Sequence, residues 1–214
     1  MSSDQFNPDS IYTQVFPSAP QNQDLQVQLI CTVNRYGCVD SDTQSTQINA
    51  IPVVSLNGLA PNYCANDTLV QLNGLPLPNS INNIATYRGL GITDSIQGTF
   101  SPSVAGLGTK DISYSFEAEN GCKNTISQTT TIRPIPILQF TFPQNQYCTS
   151  DTIVTLDQNS PFGTYTFWGS IIDSTNLLNP KDTTGQQTIF YALTDNWGCT
   201  DSSNINILIN PLSF

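Results

Sequence analysis

The sequence predicts an all-β protein built of tandem β-sandwich repeats, and three observations predict it. Tyr63-Cys64-Ala65-Asn66-Asp67-Thr68 returns 84 residues later as Tyr147-Cys148-Thr149-Ser150-Asp151-Thr152. Each copy is followed by a cysteine behind a glycine, in Asn120-Gly121-Cys122 and Trp197-Gly198-Cys199, and self-similarity of this kind marks a repeat architecture. A third such pair, Tyr36-Gly37-Cys38, stands near the start with no Tyr-Cys before it. Hydrophobic residues are 38% and charged residues only 10%, a balance that folds rather than stays disordered. The polar residues are Thr, Ser, Asn, Gln and Asp rather than the helix-favouring Lys and Glu, and Thr, Val, Ile and aromatics favour strands. Finally, short alternating segments end in Gly, Asn and Pro turns at regular spacing, with no amphipathic helical pattern among them.

Taken in order, residues 1–50 read as the back half of a repeat. Phe6-Asn7-Pro8 parallels Phe100-Ser101-Pro102 and Leu178-Asn179-Pro180. Leu25, Val27, Leu29, Cys31 and Val33 then alternate with Gln26, Gln28, Ile30 and Thr32, the period of a half-buried strand. Asn34 to Gly37 make a turn into a polar strand ending at Ile48. Residues 51–133 form a complete repeat. Ile51 to Leu56 opens it, Asn57-Gly58 turns, and Asp67 to Leu72 is a strand closed by Asn73-Gly74. Ile84 to Tyr87 follows. Ile112, Tyr114 and Phe116 form the buried face of the next strand, and Asn120-Gly121 turns it into a strand over Thr125 to Ile132. Residues 134–210 repeat the plan, with Ile189, Tyr191 and Leu193 at the same distances before Cys199 as Ile112, Tyr114 and Phe116 before Cys122. Residues 211–214 resemble the start of a further repeat, so both ends read as cut from a longer array. A repeat of about 80 residues is near the lower size limit for a stable core, which makes a disulfide staple physically reasonable.

Composition excludes several function classes. Net charge is −10 with only six Lys plus Arg, so no basic surface exists for nucleic acid. Histidine is absent, which removes the commonest general base and metal ligand. No apolar run approaches a membrane span, and residues 1–30 lack a signal-peptide core, so an export signal would lie outside this chain. Six cysteines in such a chain suggest an oxidising compartment.

On the residues Cys64-Ala65-Asn66-Asp67-Thr68, Gly98-Thr99-Phe100-Ser101-Pro102, Tyr114-Ser115-Phe116 and Asn120-Gly121-Cys122, the chain resembles the Ig-like and PKD-like repeats of large secreted surface proteins of Bacteroidota. The later copy matches with Cys148, Tyr191 and Cys199. It departs in keeping only a proline of the Gly-Thr-Phe-Ser-Pro string and in closing with Trp197-Gly198-Cys199. The resemblance implies tandem Ig-like β-sandwiches in an elongated array, within cell-surface adhesins of the gliding-motility type exported by the type IX system. It also directs attention to Asp-Ser/Thr O-glycosylation sites, here Ser10, Thr68, Ser95, Thr152, Ser174 and Thr183. Composition alone would give about one or two such motifs; the bland alternative is that Asp-Thr simply starts strands.

The cysteines admit several schemes. Pairing within each repeat, Cys64–Cys122 and Cys148–Cys199, is the first choice because each complete repeat supplies both partners. In an Ig-like sandwich, however, the first and last interstrand loops lie at opposite ends. That favours Cys64–Cys199 across the junction, since bridged Cα atoms stand within about 7 Å. Free thiols are the third scheme. Cys38 lacks a partner under the first two, and Cys31 reads as a buried thiol or as a local partner of Cys38.

Other candidate chemistry is thin. Glu117 and Glu119 are the only glutamates, and two apart on one strand they read as a solvated edge rather than a carboxylate pair flanking a bond. The Gly-rich stretches at 89–91 and 106–110 lack phosphate-loop spacing and read as turns. Asp40 and Asp42, with Asp201 and Asn204, are candidate calcium ligands at a repeat junction, calcium being the one cofactor considered. Trp197 and Tyr36, at equivalent loop tips, are candidate sugar-stacking residues, whereas Trp168 within a strand reads as core.

The expected function is therefore a non-catalytic stalk segment of a secreted cell-surface adhesin. Its expected partners are neighbouring repeats, with surface polysaccharide as a further candidate, and not nucleic acid or the membrane interior. The alternatives are a carbohydrate-binding accessory module of a secreted polysaccharide-degrading enzyme and an Ig-like decoration of a phage virion.

Overall fold

The computed structural model describes residues 23–181 and 183–212, so the Phe6-Asn7-Pro8 segment and the Ser10 motif lie outside the described residues. Strand is nearly the only regular structure among the described residues, with one four-residue helix beside it. β1 (Leu25–Arg35) and β2 (Cys38–Ile48) form a hairpin in which Arg35 faces Cys38, and Tyr36 and Gly37 both carry positive φ, 53° and 86°. Two consecutive left-handed residues match the twist of the flanking strands.

The next strands are β3 (Ser55–Asn57), β4 (Asn62–Cys64), β5 (Val70–Gln71), β6 (Asn73–Leu75), β7 (Ile84–Arg88), β8 (Ile92–Asp94) and β9 (Thr99–Phe100). After them come the single turn α1 (Pro102–Ala105), β10 (Gly108–Glu117) and β11 (Lys123–Arg133). They form a four-stranded sheet of order β4-β11-β10-β7, a β3-β6 pair and a β5-β9-β8 sheet. The Ser-Pro of the Gly-Thr-Phe-Ser-Pro string explains α1. Ser101 is its N-cap, its Oγ accepting from Val104 N, and Pro102 begins the turn with its φ already set.

The last part repeats this order. β12 (Gln146–Cys148), β13 (Val154–Thr155), β14 (Asn159–Ser160), β15 (Gly163–Trp168), β16 (Leu177–Leu178), β17 (Gly185–Thr194) and β18 (Thr200–Asn210) form a five-stranded sheet of order β12-β18-β17-β15-β14, with β13 and β16 paired opposite. In both parts the short Tyr-Cys strand runs parallel to the end of the last strand: Tyr63 faces Ile132, and Tyr147 faces Ile209.

The described chain gathers into two compact units. The first holds the residues up to Leu59 with Val70–Thr99 and Asp111–Gln128. The second holds Ala60–Leu69, Phe100–Lys110 and the chain from Thr129 on. The units do not follow the sequence repeats. The Tyr-Cys segment of residues 51–133 belongs with the body of the following repeat.

The first unit buries Leu56, Leu72, Tyr87, Ile112, Tyr114 and Phe116. A close approach defines it. A Cβ on Gly74 would stand 2.3 Å from the Tyr114 ring, so only glycine fits beneath that ring. Asn73-Gly74, expected as a turn, is therefore strand β6. The second unit centres on Tyr147, Leu156, Tyr165, Phe167, Leu178, Ile189, Leu193, Ile207 and Ile209, with Phe140, Phe142 and Tyr191 packed edge-on or tilted against them. One expectation fails here. Trp168 is not core: it lies on the outer face of β15, 45% exposed, and stacks 13° from parallel on Phe190 of β17. Alternation decides this, because Tyr165 and Phe167 take the inward positions.

Candidate functional site

The chemistry of the second unit concentrates where β4 meets the chain after β11. Cys64 ends β4 opposite Arg133, the last residue of β11. A tight turn follows. Cys64 N donates to Asp67 Oδ2 at 2.8 Å, Asp67 N to Cys64 O at 3.0 Å, and Ala65 N to Arg133 O at 2.9 Å. Asp is suited to this position because its short carboxylate closes a turn on a nearby N–H.

The partner loop joins β17 to β18. Asp195 Oδ1 accepts from both Trp197 N (2.8 Å) and Cys199 N (2.9 Å), and Asp195 N donates back to Cys199 O at 2.9 Å. Gly198 holds φ +86°, which a side chain would strain. These two turns meet in a disulfide, Cys64–Cys199, with Cα atoms 5.5 Å apart. Around it, Asn66 Nδ2 donates to Thr200 O at 3.1 Å, and the Arg133 guanidinium lies 3.8 Å from the centroid of the Trp197 ring. Arg133 also reaches Asn62 Oδ1 at 3.3 Å. Pro134 and Pro136 follow at once and fix the backbone of the link.

The bridge corrects the first-choice pairing. Cys122 and Cys148 are free thiols, as are Cys31 and Cys38, so neither Cys64–Cys122 nor Cys148–Cys199 is formed and no local Cys31–Cys38 bond exists. The reason is strand length. Cys148 faces Asn210 at the end of β18, and Cys199 precedes its first residue. About ten residues at roughly 3.3 Å each separate them, far beyond the reach of a disulfide. The same arrangement of Tyr-Cys strand and last strand holds for Cys64, β11 and Cys122.

The other candidates are dispersed. Asp201 and Asn204 are three apart on β18 and therefore face opposite sides. Asp40 and Asp42 are exposed on β2, where Asp40 Oδ1 accepts from Ser41 N. Among the described residues no three carboxylate, thiol or imidazole groups converge on a common point. Glu117 pairs with Lys123 at 3.7 Å, and Glu119 accepts from Asn82 Nδ2. Thr68, Ser95, Thr152 and Ser174 are exposed in loops, while Thr183 is half-buried and accepts from Gln187 Nε2. The aspartates of the first four, Asp67, Asp94, Asp151 and Asp173, anchor turns rather than start strands. Asp173 Oδ1 accepts from Leu177 N, Thr175 Oγ1 and Thr175 N, and Asp94 Oδ1 from Gln97 N and Ile96 N. These donors, led by Leu177 N–H for Asp173 and Gln97 N–H for Asp94, hold both carboxyls below their ordinary pKa.

Of the two sugar-stacking candidates, Tyr36 is 96% exposed at its hairpin tip. Trp197 is 63% exposed over a cleft of about 450 Å³ lined by Pro134, Ile135, Pro136, Ile137 and Phe162, but one ring face lies on Arg133. The stacked Trp168–Phe190 pair is a further exposed aromatic surface. It was missed because a tryptophan in a strand carries no sign of which face it takes until its neighbours are placed.

No family model matches the chain, and no curated protein sequence matches it. Solved structures with a similar arrangement of strands include the Bacteroides ovatus mixed-linkage glucan utilization locus protein SGBP-B in complex with a mixed-linkage heptasaccharide. It is 13% identical, over 73% of this chain and 47% of that one, with a TM-score of 0.27. Drosophila N-cadherin EC1-4 is 15% identical over 87% and 58%, with a TM-score of 0.25. The protocadherin gamma-B4 extracellular domain is 12% identical over 87% and 38%, with a TM-score of 0.28. The chain thus spans between 38% and 58% of the lengths of these proteins. At these scores the likenesses carry no argument about function. The strand content and paired sheets of the chain itself establish an all-β sandwich fold. No helix among the described residues is long and apolar enough to cross a membrane.

Proposed function

We propose that this chain is a non-catalytic stalk segment of a secreted cell-surface adhesin, one of a series of β-sandwich repeats that hold a binding region away from the cell. The observation that carries the reading is the Cys64–Cys199 bridge, which ties one sequence repeat to the next across the proline link. Both cysteines lie in the second compact unit, so the bridge closes that unit around the proline link and limits how the link unwinds under tension. The exposed Asp-Ser/Thr loops suit O-glycan attachment in that setting, and the compartment implied is extracellular.

The test is replacement in the native host. Exchanging this segment for an unrelated disulfide-stapled β-sandwich spacer of equal length should preserve surface attachment, and deleting it should reduce attachment. Loss of attachment after exchange would show that the segment itself binds, and the stalk reading would fail.

A second reading, binding of a neutral polysaccharide as an accessory module, is favoured by one observation. Trp168 and Phe190 lie nearly parallel, with ring centroids 5.8 Å apart, and exposed, and Thr188 and Asn206 beside them supply hydroxyl and amide groups. Sugar rings stack on such surfaces. Trp168→Ala abolishing retention on a β-glucan column, with Trp197→Ala leaving it intact, would select this reading.

A further inference from the structure

Trp197 is mounted rigidly and left open on one side. Its backbone N–H donates to Asp195 Oδ1 at 2.8 Å, and the bonded Cys199 stands two residues on. The Arg133 guanidinium covers one ring face, 3.8 Å from the centroid. The residue nevertheless stays 63% exposed. In the same cleft of about 450 Å³, Phe162 is 52% exposed and Ile137 73%. Pro134 and Pro136 fix the backbone of that wall. A contiguous apolar surface held this firmly in the open marks a place where something binds.

The polar groups of the cleft are largely unengaged. Asp195 spends Oδ1 on the Trp197 and Cys199 N–H groups, and its Oδ2 accepts nothing among the described residues. The side-chain amides of Asn196 and Gln139 are exposed and make no hydrogen bond among the described residues. Arg133 spends only Nη2, on Asn62 Oδ1 at 3.3 Å, and its buried Nε has no partner. Nη1 therefore keeps its N–H donors.

This combination selects a class of ligand. A pyranose offers a flat C–H face to an aromatic ring and hydroxyls around its edge. Asp195 Oδ2 can accept from those hydroxyls, Arg133 Nη1 can donate to them, and the two amides can do both. One carboxylate and one guanidinium line the cleft, so their charges cancel, while the whole chain carries −10. An acidic sugar is repelled by that field and a neutral one is not. The volume is that of a small-ligand pocket, roughly 300–1,000 Å³, and suits a short oligosaccharide or a glycan end.

We propose that this cleft binds a neutral oligosaccharide, with one pyranose stacked on the open face of Trp197. The site is separate from the Trp168–Phe190 surface on the outer face of β15 and β17, which contributes nothing to the cleft. It is available to a stalk and to an accessory module alike.

The test uses the oxidised full chain carrying Trp168→Phe, in which Trp197 is the sole tryptophan and binding at the outer sheet face is silent. The emission of Trp197 is followed while cellohexaose, maltohexaose, xylohexaose, mannohexaose and, as the acidic counterpart, the hexamer of galacturonic acid are titrated in. At least one neutral oligosaccharide should give a saturable change with Kd below about 1 mM, and the galacturonate hexamer should bind at least about tenfold more weakly. Asn196→Ala/Gln139→Ala, which removes side chains that hold nothing in the fold, should keep the thermal midpoint and weaken binding about tenfold. No saturable change with any neutral oligosaccharide, equal binding of the galacturonate hexamer, or undiminished binding in the double variant would overturn the proposal. So would a Trp197 emission that shifts to the blue with protein concentration alone, because a second copy would then be filling the cleft.

Discussion

Removing the junction bridge, by Cys199→Ser or by reduction, is the perturbation with the largest worked effect. The bond closes a loop of 135 residues. The chain-entropy relation for a loop of that length gives about 5 kcal/mol at 25 °C. The figure depends little on which part unfolds. If the strands that hold Cys64 opposite Arg133 stay folded, the loop freed is the roughly 65 residues from Arg133 to Cys199, and the same relation gives about 4 kcal/mol. For a chain of this size, about 4–5 kcal/mol corresponds to a fall of roughly 10–20 °C in the thermal midpoint. The assay is thermal unfolding followed by circular dichroism, with and without reductant, and with Cys199→Ser as the unreduced comparison. The reduced protein and the variant should melt together, well below the oxidised protein. A shift corresponding to less than about 1 kcal/mol would refute the reasoning, because even a half-length loop predicts several times that.

Gly74→Ala should destabilise the first unit by about 3 kcal/mol in denaturant unfolding. Its Cβ would lie 2.3 Å from a Tyr114 ring that is held by its hydroxyl donating to Pro76 O and by Tyr87 packed 4.9 Å away. Burial, then the nearby Tyr87, pushes the Tyr114 hydroxyl up to about 12, above its unfolded value near 10. Its stabilising contribution is therefore intact below pH 10 and is lost as pH rises from 10 to 12, about 2–3 kcal/mol in all. An alkaline unfolding curve that Tyr114→Phe flattens over that range would check it. Asp94 and Asp173 have depressed pKa values, so their contribution is present above the unfolded value and disappears as pH falls through the folded one. Asp94→Asn/Asp173→Asn should unfold less steeply than the parent below about pH 4. Trp197→Ala should cost about 1 kcal/mol of stability through loss of the Arg133 contact, read from the thermal midpoint.

The long strands were legible because their burial alternates. Ile112, Tyr114 and Phe116 were expected on one face and are all buried, as are Ile189 and Leu193 in the later copy. The repeat itself was legible from cysteine spacing, and its two Tyr-Cys segments, β4 and β12, take equivalent partners. The short strands were not. Asp67 to Leu72 shrinks to Val70–Gln71, with Asp67 spent on a turn, and Asn73-Gly74 runs straight because glycine there answers to Tyr114 rather than to chain reversal. A dipeptide that commonly turns a hairpin cannot announce that it is needed for close packing against a ring many residues later. The bridge was legible only as one of several schemes. Sequence supplies the cysteines and their spacing, but which ends meet depends on the parallel pairing of a three-residue strand, too short to carry a periodic signal.

The position of the bridge has a mechanical consequence that the within-repeat scheme would lack. Under tension, residues between bonded cysteines add nothing to extension while the bond holds. Bridges confined to single repeats would leave the proline links outside every loop, so each link and its flanking strands could pull out freely. The Cys64–Cys199 bond encloses the link at Arg133 to Pro136 together with most of two repeats. While the bond holds, extension between Cys64 and Cys199 is limited by the sulfur–sulfur bond rather than by sandwich unfolding. Single-molecule pulling of the oxidised chain should accordingly show a contour length shorter than that of the reduced chain by about 45 nm, the extended length of the enclosed 135 residues. A difference near half that value would mean that the force-bearing bond lies within one repeat, and the argument from a bridge across the link would fall with it.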